Sequence, residues 1–326
     1  MGDIMKLGQP GTNFQVTGTV LDSDSLISRL LENPGFTGQR YQAVQSFADA
    51  SAIPLWQEWR AIFLDLDNPA HQADARAFFD AHREVMLQGT QVLWEARESY
   101  YDLMVMRLVE GETAFRLEKQ NDATHTDQFL FDLTRAGFCT IVPEGLQRRD
   151  GRLVLWQDLV EVVAFWDPAI GQGDYPDWSS CALLCQDSLG YQYAVDAYLS
   201  QGHSPEAQVT GVAELVLRWG VTRLGFEANL FQSLLKSDVE QALAQQAAAM
   251  GGVPVPLLIP VTNTRNKMLR ISTLQTPVTH RHLWFSDALP AEALRQLERF
   301  RPVEGADKDD YPDSLEGAVR VAKHLV

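Results

Sequence analysis

The sequence predicts an α/β fold: a mixed five-stranded sheet flanked by helices, preceded by a mostly helical region. Two observations carry this. From residue 153 onward, short apolar runs rich in β-branched and aromatic residues alternate with stretches of helical periodicity, in the order β, β-hairpin, α, β, α, β, α. Between Pro54 and about Leu108, by contrast, the apolar residues recur only at helical spacing.

Taken in order, Phe14 to Thr19 alternates weakly like a strand. Asp24 to Leu31 places cap-like residues before an apolar helical face, with Pro34 marking its end. Tyr41 to Phe47 is a further candidate strand. Trp56, Trp59 and Phe63 then share one helical face, and Asp67-Asn68-Pro69 turns the chain into a second helix. Its apolar face is Ala75, Phe78, Phe79, His82 and Met86, and Tyr100 to Val109 forms a third helix. These aromatics read as core. Residues 120–150 read as polar and irregular, ending in the basic turn Gln147 to Arg152. The expected domain boundary lies there, dividing residues 1–150 from 151–326.

Leu153 to Trp156 reads as a short strand. Val162-Val163-Ala164-Phe165-Trp166-Asp167 is a buried strand that runs out of apolar residues at a carboxylate. Pro168 follows and cannot donate to a ladder, so pairing stops there. Gly171 to Tyr175 is a loop. Ser180 to Gln186 and Tyr191 to Tyr198 form a hairpin through Asp187-Ser188-Leu189-Gly190, with glycine where a positive φ is useful. Val209, Val212, Ala213, Val216 and Leu217 mark a helix capped by Gly220. Val221 to Phe226 is a strand ending at Glu227. Phe231, Leu234, Leu235 and Val239 mark the next helix, and Val255 to Ile259 the fifth strand. The last helix starts near Asp310 with Pro312 in its first turn, burying Leu315, Ala318, Val319 and Ala322.

The chain has 326 residues, room for one large or two ordinary domains, and a hydrophobic fraction of 45% that suffices for a core. Its net charge of -16 excludes a protein that coats nucleic acid with its whole surface, but not an enzyme that handles DNA through a local basic strip and metal ions. No run of about 18 apolar residues is present, so no membrane span is expected. Met1 to Lys6 lacks a signal-peptide pattern. Cys139, Cys181 and Cys185 are few and odd in number, which fits packed thiols in a reducing cytosol better than disulfides.

The candidate chemistry lies in carboxylates. Asp167 and Glu227 each end a strand, and if those strands are neighbours both acids emerge at one edge. Asp310 and Asp313 lie three apart and share a helical face, with Asp307 and Asp309 beside them. Carboxylates converging within ~4 Å repel by about 4 kcal/mol per pair at an effective dielectric near 20. A divalent ion relieves this, and hard oxygen donors select Mg²⁺ or Mn²⁺. Two such ions activate water and stabilise the leaving oxygen of a phosphodiester. Taken singly, each acid is more ordinarily a turn or cap residue; the combination shifts the reading. Arg265, Lys267, Arg270 and Arg281, interleaved with Asn263, Thr264 and Asn266, form a basic strip suited to backbone phosphates.

Phe165-Trp166-Asp167-Pro168-Ala169, Gly171 to Tyr175, Gly225-Phe226-Glu227-Ala228-Asn229, Asn266-Lys267-Met268-Leu269-Arg270-Ile271 and Asp309-Asp310-Tyr311-Pro312-Asp313-Ser314-Leu315 resemble, in this order, the nuclease domain of the large terminase subunits of tailed bacteriophages. The resemblance covers roughly residues 155–326. It implies a ribonuclease-H-like fold and a metal-dependent endonuclease that cuts concatemeric double-stranded viral DNA during packaging. It further implies metal ligation by Asp167, Glu227, Asp310 and Asp313, with Lys267 near the site. A small terminase subunit and a portal protein are the implied partners, in the host cytoplasm at the procapsid portal. Ser314 stands where this motif often has alanine.

Thr17-Gly18-Thr19 resembles the coupling motif late in the packaging ATPase domain, and Asp24 to Tyr41 and Trp94 to Asn121 resemble the segments that follow it, which implies that residues 1–150 are the carboxyl-terminal remnant of that domain and a helical linker. The phosphate-binding pattern Gly-x-x-x-x-Gly-Lys-Ser/Thr is absent from this chain, so no ATP hydrolysis is expected from it alone. A truncated or proteolysed form, or the product of a split gene, is the corresponding expectation. Two other functions compete: a Holliday-junction-resolvase-like nuclease of the same fold, and a non-catalytic module that docks on a portal or capsid protein.

Overall fold

The structure is a computed structural model that describes residues 9, 11–20, 25–123, 128–169, 178–227, 236–303, 305 and 308–323. The expected loop at Gly171 to Tyr175, Asp307, and Phe231 to Leu235 lie outside the described residues. The amino-terminal region comprises α1 (Leu26–Leu31), β1 (Val44–Ser46), α2 (Ile53–Phe63), α3 (His71–Met86), β2 (Gln91–Val92), α4 (Tyr100–Glu110) and α5 (Glu112–Gln120). Phe14 to Thr19 is not a strand. The aromatics read as core are largely that: Trp59, Phe79, Tyr100 and Tyr101 are buried, with Trp56 set edge-on against Trp59 and Tyr100.

The rest of the chain is organised by one sheet. Its strands are β3 (Gly137–Val142), β4 (Gly145–Arg148), β5 (Leu153–Leu155), β6 (Leu159–Asp167), β7 (Trp178–Asp187), β8 (Gln192–Gln201), β9 (Arg223–Glu227), β10 (Leu257–Val261) and β11 (Leu283–Ser286). The helices are α6 (Pro205–Arg218), α7 (Lys236–Ala249), α8 (Lys267–Ser272), α9 (Gln275–Thr279), α10 (Ala291–Arg299) and α11 (Asp310–Lys323). The strand order is β10-β9-β6-β7-β8-β11-β3-β4-β5. β6, β7 and β8 form an antiparallel meander. β9 joins the other side of β6 in parallel, and β10 joins β9 in parallel. This five-strand unit has the strand order and directions expected of the ribonuclease-H-like fold that the resemblance implies.

Two expectations change. The sheet has nine strands among the described residues, not five, because β11 pairs in parallel with both β8 and β3 and recruits the β3–β4–β5 ribbon. Residues 137–148 are therefore strands and not irregular chain, and a boundary at residue 150 falls inside that ribbon. The reason is a contact distant in sequence. Arg148 is buried because its guanidinium lies 3.9 Å from the Trp284 ring of β11 and pairs with Asp150. No described helix is long and apolar enough to cross a membrane. All three cysteines are free and buried.

Strand alternation divides the core. Ala164, Trp166, Leu224 and Phe226 face α6 and α7. Val163 and Phe165 face α11. Two glycines let that helix approach closely. A Cβ on Gly317 would lie 2.3 Å from the Phe165 ring, and one on Gly225 would lie 2.6 Å from Val321 and 2.8 Å from the same ring. Phe165 is thus gripped between strand β9 and helix α11.

Candidate active site

The period of two that buries Phe165 under α11 sends Asp167 to the same face, and the same alternation on β9 sends Glu227 there. Trp166 pairs with Phe226 in the parallel register, so the two acids leave neighbouring strands side by side. Such strands run about 4.8 Å apart. Helix α11 starts above this edge. Asp310, Asp313, Ser314, Gly317 and Val321 fall at helical spacing, the last two on the glycine contacts just described. Ser314 sets the helix down: its hydroxyl meets that of Ser180 at 2.6 Å, and Ser180 is the cross-strand partner of Asp167. The hydroxyl absent from the more usual alanine is therefore used.

The charges of these acids act on one another. Burial, then the charge of Asp313, pushes the Asp167 carboxyl up to about 7; Lys267 pulls it down, while Glu227 and Asp310 push it up further. Asp310 and Asp313 are buried. The Lys267 Nζ lies 2.9 Å from Asp309 Oδ1 and 3.4 Å from Asp313 Oδ2. Burial opposes its charge, but Asp313 and Asp309 outweigh that and hold the ammonium above the ordinary lysine value.

The basic strip is folded differently from a solvated loop. Arg270 is buried, with Nη1 2.8 Å from Asp313 Oδ1 and 2.9 Å from Glu316 Oε2, so it anchors α8 to α11 and is closed to phosphate. Arg320 adds a 3.1 Å contact to Glu316. Arg265 pairs with Glu110 and Glu118 on the helical region, each at 2.6 Å. Arg281 has a positive φ of 57° and donates to the carbonyl of Arg135. Of the strip, only Lys267 reaches the acids while staying partly exposed.

Asp167, Glu227, Asp310 and Asp313 are all-oxygen donors, the chemistry a hard divalent ion needs. As the side chains stand, no group of three or more His, Cys, Asp or Glu among the described residues is arranged to hold an ion. Among the described residues, the cations on these acids are Lys267 and, through Asp313, the buried Arg270. The donor types and the charge surplus fit Mg²⁺ or Mn²⁺, whose ligation calls for the carboxylates to turn toward one another. Sequence reasoning missed Asn263 as a partner of this site: it donates to Glu227 Oε1 through Nδ2. Its position just past β10, the strand paired with β9, was the available signal.

No protein-family model and no curated protein sequence matches the chain. Among solved structures, it is similar to the human cytomegalovirus terminase nuclease domain, manganese-soaked and inhibitor-bound, at 10% identity over 52% of this chain and 86% of that one, with a TM-score of 0.42. The large terminase nuclease of thermophilic phage G20c aligns at 14% identity over 59% and 97%, with a TM-score of 0.37. The large terminase nuclease domain of Thermus phage P74-26 aligns at 17% identity over 59% and 93%, with a TM-score of 0.34. Likenesses this distant leave the site to be read from its own geometry.

Proposed function

We propose that this chain is a divalent-metal-dependent endonuclease that hydrolyses double-stranded DNA, serving as the nuclease of a viral genome-packaging motor. The observation that carries the reading is the Asp167 pocket: two acids from neighbouring strand ends beneath two more from the first turn of α11, with the Asp167 carboxyl pushed up to about 7. A bound Mg²⁺ or Mn²⁺ pair supplies Lewis acidity and an activated water. Asp167, Glu227, Asp310 and Asp313 would hold it, and Lys267, with Arg270 on Asp313, would offset part of the acids' charge. Cleavage of concatemers, partnership with a small terminase subunit and a portal protein, and a place at the procapsid portal in the host cytoplasm follow from the resemblance and belong to the same proposal.

The test is digestion of supercoiled plasmid with Mg²⁺, with Mn²⁺ or with EDTA, by wild type, Asp167→Ala and Glu227→Ala. Nicking and linearisation are expected only with metal and only by wild type. Cleavage restricted to four-way junctions would instead establish a resolvase. Absence of any metal-dependent cleavage, with Asp167→Ala indistinguishable from wild type, would leave a docking module.

A further inference from the structure

We infer that Asn263 is a positioning residue that sets the Glu227 carboxylate for metal. This rests on the nuclease reading above and deepens it. β10 runs parallel to β9 with Val261 opposite Glu227, so the chain two residues beyond overhangs the edge from which Glu227 emerges. There the Asn263 amide Nδ2 donates to Glu227 Oε1, and it is the only hydrogen-bond donor to that carboxylate among the described residues. Asp167 is constrained by the close packing of Phe165 beneath α11, and Asp313 by Arg270 and Lys267. Glu227 has a longer, more rotatable side chain and no ion pair among the described residues. One amide fixes it.

An amide suits this task for two reasons. It donates without adding a positive charge that would compete with the metal, and it adds no further negative charge to a pocket already rich in carboxylates. Its Oδ1 is buried and lacks a hydrogen-bond partner among the described residues. Buried polar atoms left in this condition are rare and call for a reason. Here the Glu227 contact fixes the amide with Nδ2 toward the carboxylate, which leaves Oδ1 on the other side. Asn263 thus stands to Glu227 as outer partners commonly stand to metal-binding carboxylates, orienting the ligand without replacing it.

The test is Mn²⁺ affinity by electron paramagnetic resonance on the full chain, for wild type, Asn263→Ala, Glu227→Ala and the double variant, with metal-free thermal melts alongside. Asn263→Ala is expected to weaken Mn²⁺ binding by roughly 10- to 100-fold, the usual cost of losing an outer partner, with an unchanged metal-free melt. In the Glu227→Ala background the same change has no further effect, because Asn263 acts through Glu227. Asn263→Gln, which keeps the donor, recovers part of the affinity.

Wild-type affinity in Asn263→Ala overturns the inference. So do additive losses in the double variant, which would make Asn263 an independent ligand, and a melt lowered enough to account for the loss. If wild type itself binds no Mn²⁺, the nuclease reading falls and takes this inference with it. If wild type binds and Asp167→Ala does not, that reading survives whatever Asn263 does.

Discussion

Two aspartates end buried strands at opposite ends of one strand pair, and their surroundings are opposite. In the β6–β7 register Asp167 faces Ser180, while Asp187 faces Leu159 at the far end. Asp187 is saturated by neutral donors: the amides of Leu189 and Tyr191, each at 3.0 Å, and the Tyr193 hydroxyl at 2.9 Å. It closes the hairpin into β8. Asp167 instead faces Asp313, Glu227 and Asp310, with Lys267 as the opposing charge. In sequence the two residues look alike, each an acid after an apolar run. The groups that the fold brings to them separate a turn residue from a buried carboxyl set among other acids.

The comparison can be broken most sharply by exchanging roles. Asp167→Ala should lower metal-dependent plasmid cleavage by roughly 10²- to 10³-fold, the usual scale for removing a group that stabilises developing charge, while Asp187→Ala leaves the rate per folded molecule unchanged. Equal losses in single-turnover assays would show that the two acids are not different in kind.

Stability should rank them the other way. Asp187→Ala strands the Tyr193 hydroxyl and two amides and should cost roughly 3 kcal/mol, read as a drop in the urea midpoint. Asp167→Ala in EDTA should be neutral or stabilising at pH 8, because it removes like-charge repulsion.

Gly317→Ala tests the approach of α11 that makes the Asp167 end what it is. Its Cβ meets the Phe165 ring, so the helix must lift, at a cost of about 1–3 kcal/mol. Cleavage should fall even where the protein stays folded. Stability lost with the rate per folded molecule unchanged would uncouple the helix from the acids.

A further effect is a slope with pH. Because the folded Asp167 carboxyl sits near 7, above its ordinary value, the native state holds more protons than the unfolded state between pH ~4 and about 7. Stability from this group is full below that window and is lost as pH rises through it. Urea midpoints in EDTA at pH 5 and pH 8 should show the decline in wild type and a flatter profile in Asp167→Asn.

Much of this was legible before folding. The strand ending at Asp167, the strand ending at Glu227 and the helix opening at Asp310 were marked by local features: apolar runs, Pro168, and an amphipathic face with Pro312 in its first turn and Leu315, Ala318, Val319 and Ala322 buried. The β3–β4–β5 ribbon was not legible. Its strands are short, and one carries an arginine whose burial depends on Trp284 far along the chain. Arg270 misled for the same reason. It sits among polar neighbours in sequence, and only α11 supplies the Asp313 and Glu316 that bury it.

The sequence by itself determined which acids end elements, because periodicity and chain-terminating residues act locally. Only the tertiary structure decided which of them meet, which cation stands among them and which are quieted by neutral donors. Charge interactions and hydrogen bonds depend on distances of a few ångströms between side chains remote in the chain. Those distances are set by how closely α11 descends onto β6 and β9.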